Sequence, residues 1–308
     1  MNIGKSKSIV LEVVIVTYNA EKYIQQAIES VVSQKTEFPF EVHIYDDCSK
    51  DNTCNIVSTF VKKHDIVYLH TSEINQGTFA NFQKAISSCK SEFVALLEGD
   101  DYWIDENRLQ KQLDFLKSNH SHPGCAANSI VYEQKSKTFI GLYNPNLKNK
   151  YPLEELFSVP PFQIGTLVFR KKCIPTLPDD FKNTISNDKI LYTLLALHGI
   201  IYCFNENFSV YRKHNESISN SPNTNEILEK QYLLYNVMKN HFPVKYFRNI
   251  DEALYTHIKG HFITNKNKKQ PILINFLKFI KLWFKLKKFT SLYGYRELYY
   301  FSRKIIIV

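Results

Sequence analysis

No Gly-x-Gly-x-x-Gly follows the first apolar run of this sequence, and no Gly-x-x-x-x-Gly-Lys-Ser/Thr occurs in it. These are the glycine-rich turns that bring backbone amides against a dinucleotide or a triphosphate, so nicotinamide oxidoreductase and P-loop readings are disfavoured. Six cysteines (Cys48, Cys54, Cys89, Cys125, Cys173 and Cys203) stand singly, without the paired spacing of a metal site, and no secretory leader precedes them. A reduced, cytosolic compartment is expected. No internal repeat is found. The body of the chain also lacks net charge. The formal charge is +9, but residues 261–308 carry eleven Lys or Arg against one acid, Glu297, which leaves residues 1–260 close to −1. The basic character belongs to the tail, and a nucleic-acid groove across the body is not expected.

What is present begins with Phe93-Val94-Ala95-Leu96-Leu97-Glu98-Gly99-Asp100-Asp101-Tyr102-Trp103. An apolar run of strand length ends in three carboxylates around one glycine. Acids packed so closely repel unless a cation sits among them, and hard oxygen ligands on a short turn suit Mg²⁺ or Mn²⁺ shared with a substrate diphosphate. The same acids could instead open the next helix, with Asp101 or Asp105 as its cap.

The run Leu11 to Thr17 reads as a buried strand, and Ile24, Ala27, Ile28, Val31 and Val32 recur along one face of a helix. Phe40 to Tyr45 is a second strand ending in Asp46-Asp47. Ser49 to Thr53 caps a helix carrying Ile56, Phe60 and Val61. Ile66 to His70 is a third strand, Asn75-Gln76-Gly77 a turn, and Phe79, Phe82 and Ile86 mark a helix. Strands and helices alternating at this pace predict an α/β fold with a mainly parallel sheet and helices on both faces. Ligands then bind beyond the carboxyl ends of the strands, where Thr17-Tyr18-Asn19, Asp46-Asp47 and Glu98-Asp100-Asp101 converge.

Further on, Cys125 to Tyr132 and Thr138 to Tyr143 read as a hairpin, and Phe162 to Arg170 as another strand. Asn187-Asp188 opens a helix with Ile190, Leu191, Leu194 and Leu195. Ile200 to Phe204 and Phe208 to Tyr211 follow as strands, the latter running into Arg212-Lys213-His214. The Asn- and Ser-rich stretch 215–225 suggests a boundary, giving an expected α/β domain over 1–215 and a helical region over 216–308.

The order of Val14-Ile15-Val16-Thr17-Tyr18-Asn19, Tyr45-Asp46-Asp47-Cys48-Ser49, Asn75-Gln76-Gly77, Leu97-Glu98-Gly99-Asp100-Asp101, Asn187-Asp188 and Tyr211-Arg212-Lys213-His214 resembles a family 2 glycosyltransferase of the GT-A fold. Two departures stand out. The usual Asp-Gly-Ser is Asp47-Cys48-Ser49 here, which suggests that the glycine's backbone conformation is not needed, and the first acid of the usual Asp-x-Asp-Asp is Glu98.

The resemblance implies inverting transfer of a sugar from a nucleoside-diphosphate donor, UDP-linked by the family's habit, to a hydroxyl acceptor, with Mn²⁺ or Mg²⁺. It assigns Asp188 as the base, kept ionised by its place at a helix start; from the residues alone Asp188 is equally an ordinary N-cap. It places Asp101 and His214 at the metal. It also puts Thr17, Tyr18, Asn19, Glu21, Asp47, Asn75, Asp100 and Arg212 around the donor, with Arg212 offsetting leaving-group charge. Trp103 and Gly165 are expected on the acceptor side, Gly165 as room for substrate; the pair Tyr102-Trp103 suits a stacking wall there and equally core at the base of the next helix, and a mixed role is expected of Trp103.

In the tail, Pro271 to Lys288 is too interrupted by lysines to span a bilayer. On a helical wheel Lys278, Lys281, Lys285 and Lys288 oppose Ile272, Phe276, Phe279, Ile280 and Trp283, as in a helix lying flat on an anionic membrane. Such a helix suits an acceptor on a polyprenyl lipid at the cytoplasmic leaflet, as in bacterial surface polysaccharide assembly; a helix packed on the body shows the same pattern. Two other functions stay open. A metal-dependent nucleotidyltransferase needs a basic, glycine-rich loop that Thr17 to Lys22 lacks, and a non-catalytic membrane-surface or nucleic-acid-binding protein needs no acids at three strand ends.

Overall fold

A computed structural model describes residues 8–214 and 224–264. The chain divides into two compact units, the first comprising 1–156, 160–182 and 186–220, the second 157–159, 183–185 and 221–308.

The first unit is built on strands β1 (Leu11–Thr17), β2 (Phe40–Asp46), β3 (Val67–Thr71) and β4 (Phe93–Glu98), linked by helices α1 (Ile24–Val32), α2 (Thr53–Lys63) and α3 (Thr78–Ser88). β1 pairs in parallel with β2 and β4, and β2 with β3. After β5 (Tyr102–Trp103) and α4 (Arg108–Ser118) come β6 (Gly124–Glu133), β7 (Thr138–Leu142), β8 (Lys150–Tyr151), α5 (Leu153–Leu156), β9 (Val168–Arg170), α6 (Asn187–Ala196) and β10 (Ile201–Lys213). The main sheet runs β3-β2-β1-β4-β9-β6-β10-β5, with β7 on β6 and β8 on β10. β9 is antiparallel to both neighbours, whereas β6 and β10 are parallel.

Alternation along the strands sorts the two faces. Leu11, Val13 and Ile15 of β1 join Ile24, Ala27, Ile28 and Val31 of α1 and Leu109, Leu113 and Leu116 of α4 in one apolar cluster. Each large aliphatic side chain so buried contributes roughly 1.5–3 kcal/mol. Val14 and Leu96 face the opposite layer, where α3 buries Phe79, Phe82 and Ile86. The parallel sheet with helices on both faces is the expected one.

On α2 the inward residues are Thr53, Val57 and Phe60, while Val61 is exposed, because the helix turns its 53/57/60 stripe to the sheet. Two details correct the sequence reading. The stretch expected as a strand from Phe162 is a 3₁₀ turn, Ile164–Thr166, followed by the short β9. Gln163 Oε1 accepts from the Ile164 amide at 2.8 Å and Thr166 Oγ1 donates to Gln163 O at 2.8 Å, so side chains close the turn. The two segments expected after Gly199 form one strand, β10, whose pairing with β6 shifts register between Phe204 and Ser209.

In the second unit, α7 (Thr224–His241) and α8 (Phe247–Thr264) pack together. Tyr235 is fully buried and donates to Phe157 O at 2.8 Å, and Lys239 pairs with the buried Asp251. The expected basic helix 271–288 lies outside the described residues. Among those described, no helix is long and apolar enough to cross a membrane. All six cysteines are unpaired.

Candidate active site

Three neighbouring strands end together. The Asp47 amide donates to Thr17 O at 3.0 Å and the Gly99 amide to Val16 O at 2.9 Å, so the residues after β1, β2 and β4 emerge side by side. A Cβ at Gly99 would lie 2.6 Å from Thr17 Oγ1, inside contact distance. Glycine is therefore required where the acid turn crosses the end of β1. Thr17 Oγ1 is itself buried, without a hydrogen-bond partner among the described residues.

Beyond that glycine, the carboxylates of Glu98, Asp100 and Asp101 each place an oxygen within 4.8 Å of the others. Asp101 is buried, and its Oδ1 accepts from the Arg212 amide at 2.8 Å. The Arg212 guanidinium donates to Asp100 O at 2.6 Å and to Gln26 Oε1, lying over the Tyr102 ring at 4.6 Å and the Tyr23 ring at 5.2 Å. Arg212 thus holds the acid turn from behind. His214 Nε2 lies 3.0 Å from Asp100 Oδ2, with its ring 4.8 Å from Tyr23.

Electrostatics record the crowding. Burial, then Asp100 and Asp188, push the Glu98 carboxyl up to about 8. Burial, then Asp100 and Glu98, hold Asp101 well above the usual carboxylate range. Glu98 therefore senses Asp188, which opens α6 after Ser186 in a left-handed conformation, φ 68°. The helix start favours the ionised form of Asp188, as expected, but burial works against it. Burial raises its carboxyl, and its own amide, the Lys189 amide and the Lys189 ammonium offset this only in part. Lys189 is lowered to about 8 by the same burial, with Asp188 acting against it. Burial, with Asp188 and Glu98 nearby, also raises the phenols of Tyr143 and Tyr192.

The residues expected around the donor fall into two groups. Asn19 and Glu21 stitch loops together: Asn19 Oδ1 accepts from Lys50 N at 2.8 Å, and Glu21 Oε2 from Asn52 N at 2.9 Å. Asp47 accepts the Gln76 amide on one oxygen and the Gly77 amide on the other, both at 2.8 Å, and Asn75 Oδ1 shares the Gly77 amide at 3.1 Å. One lone pair on each Asp47 oxygen is left over. Tyr18, 47% exposed, presents its ring to solvent above these loops. Cys48 has φ 66°, so the inference from its replacing glycine is corrected: the left-handed turn is kept, with a side chain in it.

On the acceptor side the geometry differs from expectation. Trp103 is 4% exposed, donates through Nε1 to Gly165 O at 2.8 Å, and carries Arg108 over its ring at 3.9 Å. Arg108 donates to the same carbonyl at 2.6 Å and to Thr166 O at 2.9 Å. Trp103 is a support beneath the 163–167 turn, not a wall of an open cleft. A Cβ at Gly165 would meet Leu97 Cδ1 at 3.3 Å, so this glycine permits close packing.

Sequence reasoning missed Tyr143 and Tyr192. Tyr192, four residues after Asp188, could have been read from the helical repeat; Tyr143, in a loop after a hairpin, left no signal. Together the site offers a cluster of acids for a hard cation, a separate carboxyl at a helix start, and loops that fix an acid and an aromatic ring at the neighbouring strand tips.

Comparison with known proteins bears on this arrangement. The profile of glycosyl transferase family 2 matches residues 12–174. An uncharacterized protein of Mycobacterium tuberculosis is 30% identical over 217 residues, 70% of this chain and 62% of that protein; the chain thus spans less than two thirds of this relative. The structure of Staphylococcus aureus TarS 1–349 in complex with UDP-GlcNAc aligns with a TM-score of 0.66 at 20% identity, over 96% of this chain and 88% of that one. The mannosyltransferase PcManGT from Pyrobaculum calidifontis, in complex with GDP-Man and Mn²⁺, aligns with a TM-score of 0.56 at 13% identity, over 96% and 84%. At these identities the two structures speak for the GT-A fold.

Proposed function

The chain belongs to glycosyl transferase family 2, and from that premise we propose that it transfers a sugar from a UDP-sugar, with inversion, to a hydroxyl of a saccharide or polyprenyl-linked acceptor in bacterial surface-polysaccharide synthesis. One observation carries the reading: Glu98, Asp100 and Asp101 meet in one acid cluster, close enough to Asp188 for its charge to raise Glu98. The UDP-GlcNAc bound to TarS supports a uridine diphosphate donor, and the Mn²⁺ beside GDP-Man in PcManGT supports a divalent cation.

The donor set fits a hard cation. Three carboxylates within 4.8 Å of one another, two of them driven toward protonation, are relieved by Mn²⁺ or Mg²⁺. Asp101 with Glu98 and Asp100 would hold it, with His214 oriented by Asp100 at its edge. When bound, the cation supplies neutralising charge to the departing diphosphate.

The chain's own groups do the rest. Asp188 takes the acceptor's hydroxyl proton on a carboxylate oxygen, and a carboxyl raised by burial is a better match for that transfer near neutral pH. Tyr18 covers the base and Asp47 accepts from it, while Asp100 reaches the ribose. Thr17 Oγ1 is a polar atom awaiting a donor group. Arg212 keeps Asp100 and Asp101 aimed. Residues 271–288 hold the protein on the cytoplasmic face of the membrane, near a lipid-linked acceptor; if chain lacking 271–308 still sedimented with anionic vesicles, that anchor would be excluded.

A thermal-shift panel of nucleotide sugars with Mn²⁺ tests the reading. One UDP-sugar should raise the melting temperature in a concentration-dependent way. A flat response to every nucleotide sugar contradicts it.

A further inference from the structure

Beside the acids projects a ribbon that the transfer reaction leaves unused. β6 turns back as β7, with Ile130 opposite Leu142, Tyr132 opposite Phe139 and Glu133 opposite Thr138. Every residue of β7 is exposed, and among the described residues its outer edge pairs with no other strand. Phe139, Ile140 and Leu142 are 60%, 51% and 43% exposed, three large apolar side chains within four positions. An edge strand of that kind invites association unless something covers it.

The ribbon has a fixed form. Lys137 takes a left-handed conformation, φ 54°, and Ser136 Oγ reaches Glu133 Oε2 at 2.6 Å and Thr138 Oγ1 at 2.8 Å, so side chains close the turn. The Phe139 ring meets that of Tyr132 with centroids 5.1 Å apart. At the root, the Gln134 amide donates to Lys213 O at 2.9 Å and the Tyr143 amide to Ser129 O at 2.8 Å.

Charge decides what covers it. From Gln134 to Lys150 the chain carries Lys135, Lys137, Lys148 and Lys150 and no acid. Lys135 and Lys137 stand exposed at the tip, and among the described residues neither meets an acid, whereas Lys148 pairs with Glu155 at 2.7 Å. A second copy joined edge to edge through β7 would set this basic segment against itself. An anionic bilayer offers headgroups to the lysines and an acyl boundary to the apolar side chains.

The ribbon also stands beside the reaction. Its root pairs Tyr132 with Arg212, whose amide holds Asp101. Its return strand leads into Tyr143, whose phenol senses Asp188.

We propose that the β6/β7 hairpin docks on an anionic lipid surface, with Phe139, Ile140 and Leu142 entering the acyl boundary and Lys135 and Lys137 lying among the headgroups. This contact is separate from residues 271–288. It rests on the proposed function for its purpose alone, which is to bring a lipid-linked acceptor to Asp188.

The test uses the full chain with Trp283→Phe, which leaves the buried Trp103 as its own indole, and adds Phe139→Trp as the reporter. Phosphatidylglycerol vesicles with brominated acyl chains should quench the introduced indole and shift its emission to the blue; phosphatidylcholine vesicles should leave it as in buffer. Lys135→Ser with Lys137→Ser should weaken the response on the order of tenfold, as expected for two lysines at an anionic leaflet. Circular dichroism checks folding; should Phe139→Trp fail to fold, Ile140→Trp gives the same reading. Emission unchanged while the protein sediments with the vesicles assigns membrane contact to other segments and overturns the hairpin's part, as does absence of sedimentation or equal quenching by phosphatidylcholine. A parent dimer in light scattering that Phe139→Ser with Ile140→Ser turns into a monomer overturns it too, since a second copy then covers β7. Thermal shift by UDP-sugars on that serine variant reads the donor site by itself, so failure of the hairpin and failure of the transfer reading are told apart.

Discussion

The Arg212 amide donates to Asp101 Oδ1 at 2.8 Å, joining the acid turn after β4 to the far end of β10. The Arg212 guanidinium secures the Asp100 carbonyl beside it at 2.6 Å. The two acids are thus aimed by the last strand of the sheet. Their pairing explains how a turn with three carboxylates keeps one geometry despite mutual repulsion.

Because substitution spares the backbone amide, Arg212→Ala should leave Asp101 tethered but loosen Asp100 and empty the space between the Tyr23 and Tyr102 rings. We expect a stability loss of about 3 kcal/mol, from two charge-assisted hydrogen bonds and two ring contacts. The Mn²⁺ concentration for half-maximal activity should rise. Denaturant unfolding and a Mn²⁺ titration of activity read the two effects; wild-type values in both would remove Arg212 from this role.

Glu98 makes a pH prediction with a definite sign. Its folded carboxyl is raised to about 8, above its unfolded value, so the folded state binds the extra proton. Without divalent cation, its contribution to stability is fully present below the unfolded pKa and is lost as pH rises toward 8. Mn²⁺ must displace that proton, so its affinity should increase from pH 6 to pH 8 with proton release, and Glu98→Gln should flatten the dependence. Calorimetry in buffers of different ionisation enthalpy measures the released proton. A pH-independent affinity in the parent would contradict the assignment.

Cys48 occupies a left-handed conformation that costs an L-residue roughly 1–2 kcal/mol, of which glycine's greater unfolded-state freedom returns part. Cys48→Gly should therefore stabilise the chain by about 1 kcal/mol with nucleotide affinity unchanged. A melting temperature equal to or below that of the parent would mean that the contacts of its thiol with Lys50 Nζ at 3.1 Å and Glu73 O at 3.3 Å matter more than the backbone.

Asp188→Asn keeps the size of the side chain while removing the proposed base. UDP binding should persist within about twofold, and transfer to a hydroxyl acceptor should fall by two to four orders of magnitude, roughly the value of a positioned base. Equal transfer by variant and parent would take Asp188 out of the mechanism.

How much of this was legible follows from range. β1, β2 and β4 announce themselves through uninterrupted apolar runs, and the acids at their ends fall at the site because parallel strands must all finish on the same edge. The turn at 163–167 was not legible, because its apolar content resembles a strand while its conformation is set by the Gln163 and Thr166 side chains. Trp103 misled for a related reason. An aromatic after an acid turn suits a ligand wall, and only the buried Arg108 and the Gly165 carbonyl, about sixty residues away, assign it to support. Cys48 misled because residue type was taken to report backbone conformation, and here the loop overrode the preference.

The most direct test is Mn²⁺-dependent UDP release from the UDP-sugar that stabilises the protein, compared between the parent and Asp101→Asn. The account predicts slow release by the parent that stops when Mn²⁺ is chelated, and none above background from the variant. Release by Asp101→Asn at the parental rate, or by the parent at the same rate without divalent cation, would contradict it.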